Sequence, residues 1–387
     1  MSSERENGKR EIYLDNAATT RMPDVVKEAM EPYLGENFGN ASTMYRYGEE
    51  AREALERTRK IIADTLEAKP SEIYFTSGGS ESDNWAVKGI AGEQKKEGRH
   101  IITSRIEHHA ILNSCGYLER LGYHVTYLDV DENGLVSPES VMQAIRPDTT
   151  LITVMFGNNE VGTVEPIAQI GRIAREQKIL FHTDAVQAYA QLPISVRYLP
   201  VDALSASAHK FHGPKGVGFL YIREGVKIPS FIHGGGQERG KRAGTENVAG
   251  IVGMGRAAEL AFSNLRRSVQ KETMLRNYMI EKIFHEIPDV RLNGHRSRRL
   301  PGNISVSFKG LDGASLLILL DEDGICASGG SACNTGEERI SYVIEALGVP
   351  DEYAAGTVRL TLCRDTTRQD VDMAVASLKR NVARLRE

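Results

Sequence analysis

The hydrophobic pattern of the chain alternates short, almost continuous apolar runs with longer stretches of helical periodicity. Runs of this kind are typical of strands that are buried on both faces of a sheet. Their alternation with helices predicts a mostly parallel central sheet covered by helices on both faces, which is an α/β fold. The predicted strands, with the polar loops that follow some of them, lie at residues 72–76, 100–104, 124–130, 150–162, 178–188, 201–210 and 216–222.

The pattern changes after residue 255. Near the end of the chain, Thr367 and Asp370 form a plausible helix cap, and the residues after them share one apolar face, as in an amphipathic helix. We therefore expect a smaller α+β domain here. Its predicted elements are a helical stretch at 256–288, strands at 303–308 and 357–363, and the terminal helix at 367–387.

The length of 387 residues is too great for one compact core and predicts two or three domains. The change in pattern divides the chain into a large α/β domain at 15–255 and a small α+β domain at 256–387. We expect the N-terminal segment 1–14 to join the small domain. The small domain would also carry a mobile loop at 327–340, which is polar and rich in glycine and serine.

Composition and charge argue against several classes of protein. The chain is 41% apolar and 26% charged, with a formal net charge of −4, and it has neither a basic stripe for nucleic acid nor an acidic tail for docking. We recognise no signal peptide and no apolar run long enough to cross a bilayer. The four cysteines form no CxxC pair, so we expect free thiols in a reduced, cytoplasmic protein without a zinc site.

Polar residues at the ends of the predicted strands are candidates for chemistry, because open α/β sheets bind ligands beyond the carboxyl ends of their strands. The segment TSGGSES at 76–82 could present backbone N–H groups to a phosphate. It lacks the P-loop spacing, however, and taken alone an ordinary turn with a serine cap explains it better. Asp184 ends a buried strand, where a carboxylate needs a cationic partner, but a helix N-cap explains it equally well.

Two further strand ends carry candidate residues. Lys210, in SASAHKFHGPKG, could form a Schiff base if its pKa is lowered, or it could be an ordinary turn lysine. Asn158, Asn159 and Glu160 could orient a ligand through their polar side chains, or they could simply form a turn. Together, an anion site, a buried carboxylate, a Schiff-base lysine and orienting amides meet the needs of pyridoxal phosphate.

Motifs from about residue 11 to the end of the chain resemble those of the cysteine desulfurases of the NifS/IscS type. In order, they are YLDNAATT, FTSGGSESDN, EHHA, NNEVGT, HTDAVQ, SAHKFHGPKG, HGGGQERGKRAGTENV, SGGSAC and VRLTL. The resemblance implies a fold-type I pyridoxal-phosphate transferase that forms homodimers with active sites at the subunit interface. It also implies removal of sulfur from L-cysteine, which leaves L-alanine.

The resemblance further implies which residues hold the cofactor. Lys210 would bind it covalently and later remove the Cα proton of the substrate. Asp184 would pair with the pyridinium nitrogen, Gln187 would bond the ring hydroxyl, and His108 would stack on the ring and take the thiol proton. The residues implied to hold the phosphate are Gly79, Ser80, Ser207 and His209, together with Thr245, which would reach the phosphate of the neighbouring subunit. Gly79 and Ser80 stand where the family often has alanine and threonine.

The substrate and the sulfur have their own implied partners. Asn159, which also belongs to the implied cofactor set, and Arg359 would bind the substrate carboxylate, for which arginine offers a planar bidentate fork. Cys333, in the loop 327–340, would attack the substrate sulfur as a thiolate and carry the resulting persulfide. The sulfur would then pass to an acceptor or scaffold protein for iron–sulfur cluster or thio-cofactor biosynthesis.

Other functions remain open on this fold, because fold alone does not fix function. One alternative is a different pyridoxal-phosphate enzyme, such as a selenocysteine lyase or an aminotransferase, although an aminotransferase needs no thiol like that of Cys333. Another is a cluster-assembly scaffold in which Cys333 is a transient iron–sulfur ligand. We expect no other metal site.

Overall fold

The computed structural model describes residues 11–329 and 340–387. The strands are β1 (Ile12–Tyr13), β2 (Ile73–Thr76), β3 (His100–Ser104), β4 (His124–Leu128), β5 (Thr149–Thr153), β6 (Leu180–Asp184), β7 (Ala203–Ser207), β8 (Gly218–Ile222), β9 (Val290–Leu292), β10 (Asn303–Phe308), β11 (Ile325–Cys326) and β12 (Thr357–Thr361).

The helices are α1 (Asp24–Met30), α2 (Arg46–Leu66), α3 (Gly79–Glu93), α4 (His109–Arg120), α5 (Pro138–Ala144), α6 (Ile167–Glu176), α7 (Val248–Phe262), α8 (Leu265–Glu286), α9 (Gly313–Glu322), α10 (Tyr342–Ala346), α11 (Asp351–Ala354) and α12 (Arg368–Arg386). Among the residues just given, no helix is long and apolar enough to cross a membrane.

The central sheet has seven strands in the described chain, in the order β2-β8-β7-β6-β5-β3-β4. Strands β4, β3, β5, β6 and β7 run parallel to one another, whereas β8 is antiparallel to both β7 and β2. Every residue of β3, β5, β7 and β8 is buried, which explains why these strands have apolar runs without alternation. The predicted mostly parallel α/β sheet is confirmed.

The direction of the strands determines where the site can form. Because β2 is antiparallel to β8 and β8 is antiparallel to β7, β2 points the same way as the parallel strands. The carboxyl ends of β2, β3, β5, β6 and β7 therefore lie along one edge of the sheet, and the amino end of β8 joins them there. The sequence segments that were selected as candidates follow these strand ends directly.

A second region is built around β10, which pairs in antiparallel fashion with β12 on one side and β9 on the other. The N-terminal strand β1 pairs in parallel with β11, so the start of the chain adds to this C-terminal region. Helix α12 covers it and begins at the predicted cap: Asp370 Oδ2 accepts from Thr367 N at 2.8 Å and Thr367 Oγ1 accepts from Asp370 N at 3.2 Å. A cap of this kind contributes about 1 kcal/mol.

The buried apolar side chains form separate clusters in these regions. The largest cluster lies around the central sheet and includes Met254 and Ala258 of α7. Another unites Leu14 with Ile304 of β10 and Met279 of α8. The predicted boundary at residue 255 falls within α7, whose residues on both sides of it pack with the large cluster. The division into two domains stays a prediction.

Candidate active site

A cavity of about 650 Å³ opens at the carboxyl edge of the central sheet. It brings together residues that follow different strands and are far apart in sequence. The predicted site residues that line it are Gly79, Ser80, His108, Asn159, Asp184, Gln187, Ser207, His209, Lys210 and Arg359. Thr245 is exposed and does not line this cavity, and Cys333 lies outside the described residues.

The N-terminus of α3 forms one end of the cavity. Its N-cap, Gly78, has φ = 148°, a conformation that glycine adopts readily. A Cβ atom on Gly79 would lie 2.6 Å from Cγ2 of Val186, so alanine would not fit here unless Val186 moved. Strand β2 and its glycine turn thus bring the first turn of a 15-residue helix to the cavity wall, where backbone N–H groups favour an anion.

An ion pair next to this turn was not predicted from the sequence. Arg242 donates to both carboxylate oxygens of Glu81, at 2.8 and 3.1 Å, and Ser77 N donates to the same carboxylate at 2.9 Å. Burial raises the pKa of Glu81, but the hydrogen bonds from Arg242 and Ser77 outweigh it and hold the pKa below its usual value. The pair fixes the first turn of α3, and its only sequence signal was the position of Arg242 within the RAGT stretch.

Asp184, the last residue of β6, is buried behind the centre of the cavity. Its Oδ1 accepts from Val186 N at 2.8 Å, and no helix begins there, so the helix N-cap interpretation is wrong. Burial raises its pKa, while the charge of nearby Lys210 acts in the opposite direction. In the following turn, Gln187 Nε2 donates to Ala17 O at 2.9 Å.

Lys210 follows β7 in a short 3₁₀ turn, Ala208–Lys210. Its Nζ donates to the carbonyl oxygens of Ala17 and Ala18 at 2.6 and 3.0 Å. The early YLDNAATT motif therefore holds the lysine amine inside the cavity. His209, beside it, bonds Thr19 Oγ1 through Nδ1 at 3.2 Å, and burial, aided by Lys210, lowers its pKa to about 4. His209 is therefore a neutral ring at neutral pH.

His108 is the N-cap of α4, and its Nδ1 accepts from Ala110 N at 3.1 Å. Burial lowers its pKa, with Lys210 and His109 acting in the same direction, so the ring is neutral. Because Nδ1 is an acceptor in this hydrogen bond, the ring hydrogen of the neutral form is on Nε2.

The segment FGNNEVG contains two asparagines with different surroundings. Asn158 is fully buried in a turn, where its Oδ1 accepts from Glu160 N and Val161 N at 2.8 and 2.9 Å. Asn159 lines the cavity, and its Oδ1 is buried without a hydrogen-bond partner in the described part of the chain. The turn interpretation thus holds for Asn158, whereas Asn159 is available to a ligand.

Arg359 projects from β12 into the same cavity and is 1% exposed. Its Nη2 contacts Asp15 Oδ1 at 2.8 Å, and its Nη1 donates to Asn159 O at 2.9 Å. Asp15 belongs to the segment after β1, so the N-terminal strand, β12 and the loop after β5 meet at one guanidinium. This arrangement fixes a planar cation opposite the lysine amine.

Both described ends of the segment 327–340 are attached near the cavity. Ser328 exchanges backbone hydrogen bonds with Arg359, at 3.1 and 2.6 Å. At the other end, Ser341 caps α10 and donates to the buried carboxylate of Glu160, and Tyr342 donates to Glu107 O at 2.6 Å. In the sequence, Cys333 lies between these two attachments.

The residues present fit pyridoxal phosphate. The cavity offers a helix N-terminus for a phosphate, a buried carboxylate for a ring nitrogen, a lysine amine and an arginine. The buried, unbonded Oδ1 of Asn159 and the close approach of Gly79 to Val186 are features that a ligand would explain.

Comparison with known proteins agrees with this chemistry. Residues 12–373 match the aminotransferase class-V family. A protein described as "Cysteine desulfurase IscS" from Dictyoglomus turgidum is 51% identical over 378 residues, which cover 98% of this chain and 96% of that protein. A solved "NifS-like protein" superposes with a TM-score of 0.91 at 39% identity, covering 97% of this chain and 100% of the other.

A further solved structure, "SspA in complex with cysteine", is 40% identical, with a TM-score of 0.82 and coverage of 92% of this chain and 100% of the other. The resemblance inferred from the motifs is confirmed. The match to the family over nearly the whole chain, together with full-length identity of about one half, shows that the chain belongs to the class-V aminotransferase family and, within it, to the pyridoxal-phosphate-dependent cysteine desulfurases.

Proposed function

We propose that this protein removes the sulfur atom of L-cysteine, releases L-alanine and holds the sulfur as a persulfide on Cys333. The observation that carries this proposal is the meeting of Lys210, Asp184 and Arg359 in one cavity. The similar protein solved in complex with cysteine supports this amino acid as the substrate. Pyridoxal phosphate, when bound, supplies a ring that accepts negative charge from the substrate Cα.

Lys210 has two tasks in this proposal. It would hold the cofactor covalently, and as a free amine it would take the proton from the substrate Cα. The carbonyl oxygens of Ala17 and Ala18 keep Nζ in the cavity. Asp184, placed behind the cavity, pairs with the ring nitrogen, and Gln187 contacts the ring hydroxyl.

Arg359 and Asn159 orient the substrate. The guanidinium is already fixed by Asp15 and Asn159 O, so its side chain loses little conformational entropy when it binds a ligand. It can therefore bind a carboxylate in one orientation. The unbonded Oδ1 of Asn159 suits a donor group of the substrate or the cofactor. Two fixed contacts would direct the Cα–H bond towards Lys210.

We assign to His108 the role of packing against the cofactor ring. Its transfer of the thiol proton stays a prediction, and the hydrogen bond at Nδ1 weighs against it. A neutral ring with hydrogen on Nε2 can accept a proton only at Nδ1, which is occupied by Ala110 N.

The sulfur step uses Cys333 as the nucleophile. Its thiolate forms a bond to the substrate sulfur, and the bond between that sulfur and the substrate Cβ breaks. Cβ then gains a proton to become a methyl group, and Lys210 returns a proton to Cα, which completes alanine. The sulfur, now on Cys333 as a persulfide, passes to a thiol of an acceptor protein that serves iron–sulfur cluster or thio-cofactor biosynthesis. Both attachments of the segment 327–340, at Ser328 and Ser341, support its delivery to this cavity.

The remaining assignments complete the site. Gly79, Ser80, Ser207 and His209 hold the phosphate, and Thr245 reaches the phosphate of a second subunit in a homodimer. The exposure of Thr245 and its place outside the cavity of its own chain support this use in trans. We propose the cytoplasm as the compartment, since a reduced thiol is required at Cys333.

One experiment tests the proposed function. Purified protein loaded with pyridoxal phosphate is given L-cysteine and a reductant, and sulfide and alanine are measured. We expect the two products in a one-to-one ratio, and we expect Cys333→Ser to lose both while keeping the yellow colour of the bound cofactor. Cys363→Ser, a partly buried thiol outside the cavity, is the matched control and should retain activity.

The outcome separates the alternatives. Full activity in Cys333→Ser would show that this thiol is not the sulfur carrier. Formation of a keto acid instead of alanine would identify an aminotransferase. A strong preference for selenocysteine over cysteine would identify a lyase for that amino acid.

A further inference from the structure

Three carboxyl groups lie together beneath the cavity. Asp83 on α3 is 1% exposed, Glu107 after β3 is fully buried, and Asp184 at the end of β6 is 5% exposed. Asp83 and Asp184 both line the cavity. Of the three, only Asp184 has a part in the proposed function, so the two others need an explanation.

A chain of hydrogen bonds through His182 runs beside Asp83. Thr153 Oγ1 lies 2.9 Å from His182 Nδ1, and His182 Nε2 lies 2.9 Å from Ser205 Oγ. The Asp83 side chain lies close enough to Ser205 and Asp184 for both to act on its pKa. The Oδ1 atom of Asp83 is buried without a hydrogen-bond partner among the residues described, 3.8 Å from His182 Nε2.

A hydrogen bond between two carboxyl groups requires a proton on one of them, because two adjacent buried carboxylates repel each other strongly. The surroundings decide which group carries it. Burial raises the pKa of Asp83 well above its usual value, and the charge of Asp184 raises it further. His182 does not compensate, since burial lowers its pKa to about 3 and leaves it neutral.

Asp184 is the group that stays ionised. Burial raises its pKa too, but the charge of Lys210 and the hydrogen bond from Val186 N favour its ionised form. Glu107 adds no second charge at neutral pH, because burial raises its pKa to about 8. The cluster of three carboxyl groups thus carries one negative charge.

We propose that Asp83 is a positioning residue that keeps a proton and donates it in a hydrogen bond to Asp184, which holds Asp184 ionised and oriented for the cofactor ring nitrogen. This inference rests on the proposed function only through the role of Asp184. Asp83 touches neither substrate nor reacting atoms; it acts through the carboxylate that does. His182 Nε2, which is bonded to Ser205 Oγ, lies 3.8 Å from Asp83 Oδ1.

The test compares Asp83→Asn with Asp83→Ala in protein loaded with pyridoxal phosphate that carries ¹⁵N in the ring. The chemical shift of this nitrogen reports its protonation, and it is followed as a function of pH. The dissociation constant of the cofactor is measured separately on apoprotein. Asp370→Asn is the matched control, because Asp370 is also a buried aspartate but caps α12 outside this cavity.

We expect Asp83→Asn to behave like the unaltered protein, within about 3-fold in cofactor dissociation constant, since an amide N–H can donate to Asp184 as the acid does. Asp83→Ala removes a hydrogen bond to a charged group. It should weaken cofactor binding by about 10- to 100-fold and let the ring nitrogen lose its proton at a pH about one to two units lower.

Two results would overturn the proposal. One is a loss in Asp83→Asn as large as that in Asp83→Ala, which would mean that Asp83 acts as a charge or through packing. The other is an unchanged ring nitrogen in Asp83→Ala. Should the alanine variant not fold, infrared difference spectra between the unaltered protein and Asp83→Asn decide: one protonated-acid carbonyl band must be lost in the variant, while the band of protonated Glu107 remains.

These readouts are independent of turnover. If the protein bound pyridoxal phosphate but released no alanine from cysteine, the proposed function would fail while the ring nitrogen would still report on Asp83. Normal desulfurase activity with an unaltered ring nitrogen in Asp83→Ala would refute only the role of Asp83.

Discussion

Replacing Arg359 with lysine tests how the site recognises its substrate. The change keeps one positive charge at a position that is 1% exposed but removes the planar fork. In the protein, that fork is held by Asp15 Oδ1 at 2.8 Å and by Asn159 O at 2.9 Å. A lysine ammonium is a point charge on a flexible stem and cannot satisfy both partners and a substrate carboxylate in the same geometry.

The size of the effect follows from the contacts that are lost. A hydrogen bond to a charged group contributes about 1.5–3 kcal/mol, which corresponds to about 10- to 100-fold in binding. If Arg359 binds the substrate carboxylate, Arg359→Lys should raise the KM for L-cysteine by about this factor. A further loss in kcat is expected, because a carboxylate that is held by one contact leaves the Cα–H bond less well aligned with Lys210.

Steady-state production of alanine at varied L-cysteine concentrations measures both constants, and the visible spectrum confirms that the cofactor is bound. Arg276→Lys is the matched control: Arg276 is another buried arginine, but its Nη1 donates to Leu300 O at 3.0 Å, outside the cavity. The control should lower stability and leave KM unchanged. An unchanged KM in Arg359→Lys would refute the assignment of this residue to the substrate carboxylate.

Three other predictions concern the same protein. Burial raises the pKa of Glu107 from 4.5 to about 8, so between these pH values the folded protein keeps a proton that the unfolded chain has lost. The free energy of unfolding should therefore fall as the pH rises from 4.5 to 8, by up to about 1.4 kcal/mol per pH unit. Urea unfolding at a series of pH values should show this decline in the unaltered protein but not in Glu107→Gln. The same dependence of the free energy of unfolding on pH in both proteins would contradict the prediction. Arg59→Ala leaves the buried carboxylate of Glu238 without its two 2.8 Å contacts and should lower the free energy of unfolding by about 3–5 kcal/mol, whereas Lys60→Ala, which breaks an exposed pair, should cost less than about 1 kcal/mol. After borohydride reduction, mass spectrometry should find the cofactor attached to the unaltered protein and not to Lys210→Ala; attachment in the variant would disprove the covalent role of Lys210.

The site was largely predictable because of where its residues lie in the sequence. Lys210 and Asp184 come at the ends of apolar strands, and parallel strands bring such ends to one edge. Gly78 and Gly79 predicted a turn at the start of α3, and the sequence alone favoured an ordinary turn with a serine cap; in the structure the N-cap is Gly78. For Asn158 and Asn159, the sequence could not tell turn from ligand contact, because adjacent asparagines look alike until burial separates them.

Other features had no local signal. Helices α1 and α2 were not among the predicted elements, although α2 is 21 residues long. Asp83 lies within a helix, where a polar residue is ordinarily assumed to face solvent, and only the packing of α3 on the sheet buries it. Arg242 meets Glu81 across 161 positions of sequence, a contact that no spacing rule describes.

The sequence by itself determined the alternation of strands and helices, the mostly parallel sheet and the set of groups that meets the needs of pyridoxal phosphate, because these depend on local periodicity and on residues next to strand ends. The tertiary structure alone decided which of these groups meet. Strand order placed β12 so that Arg359 contacts Asp15, 344 positions earlier, and packing buried Asp83, Glu107 and Asp184, which raises the pKa of all three. Both depend on long-range packing, which fixes distances and desolvation that local sequence does not encode.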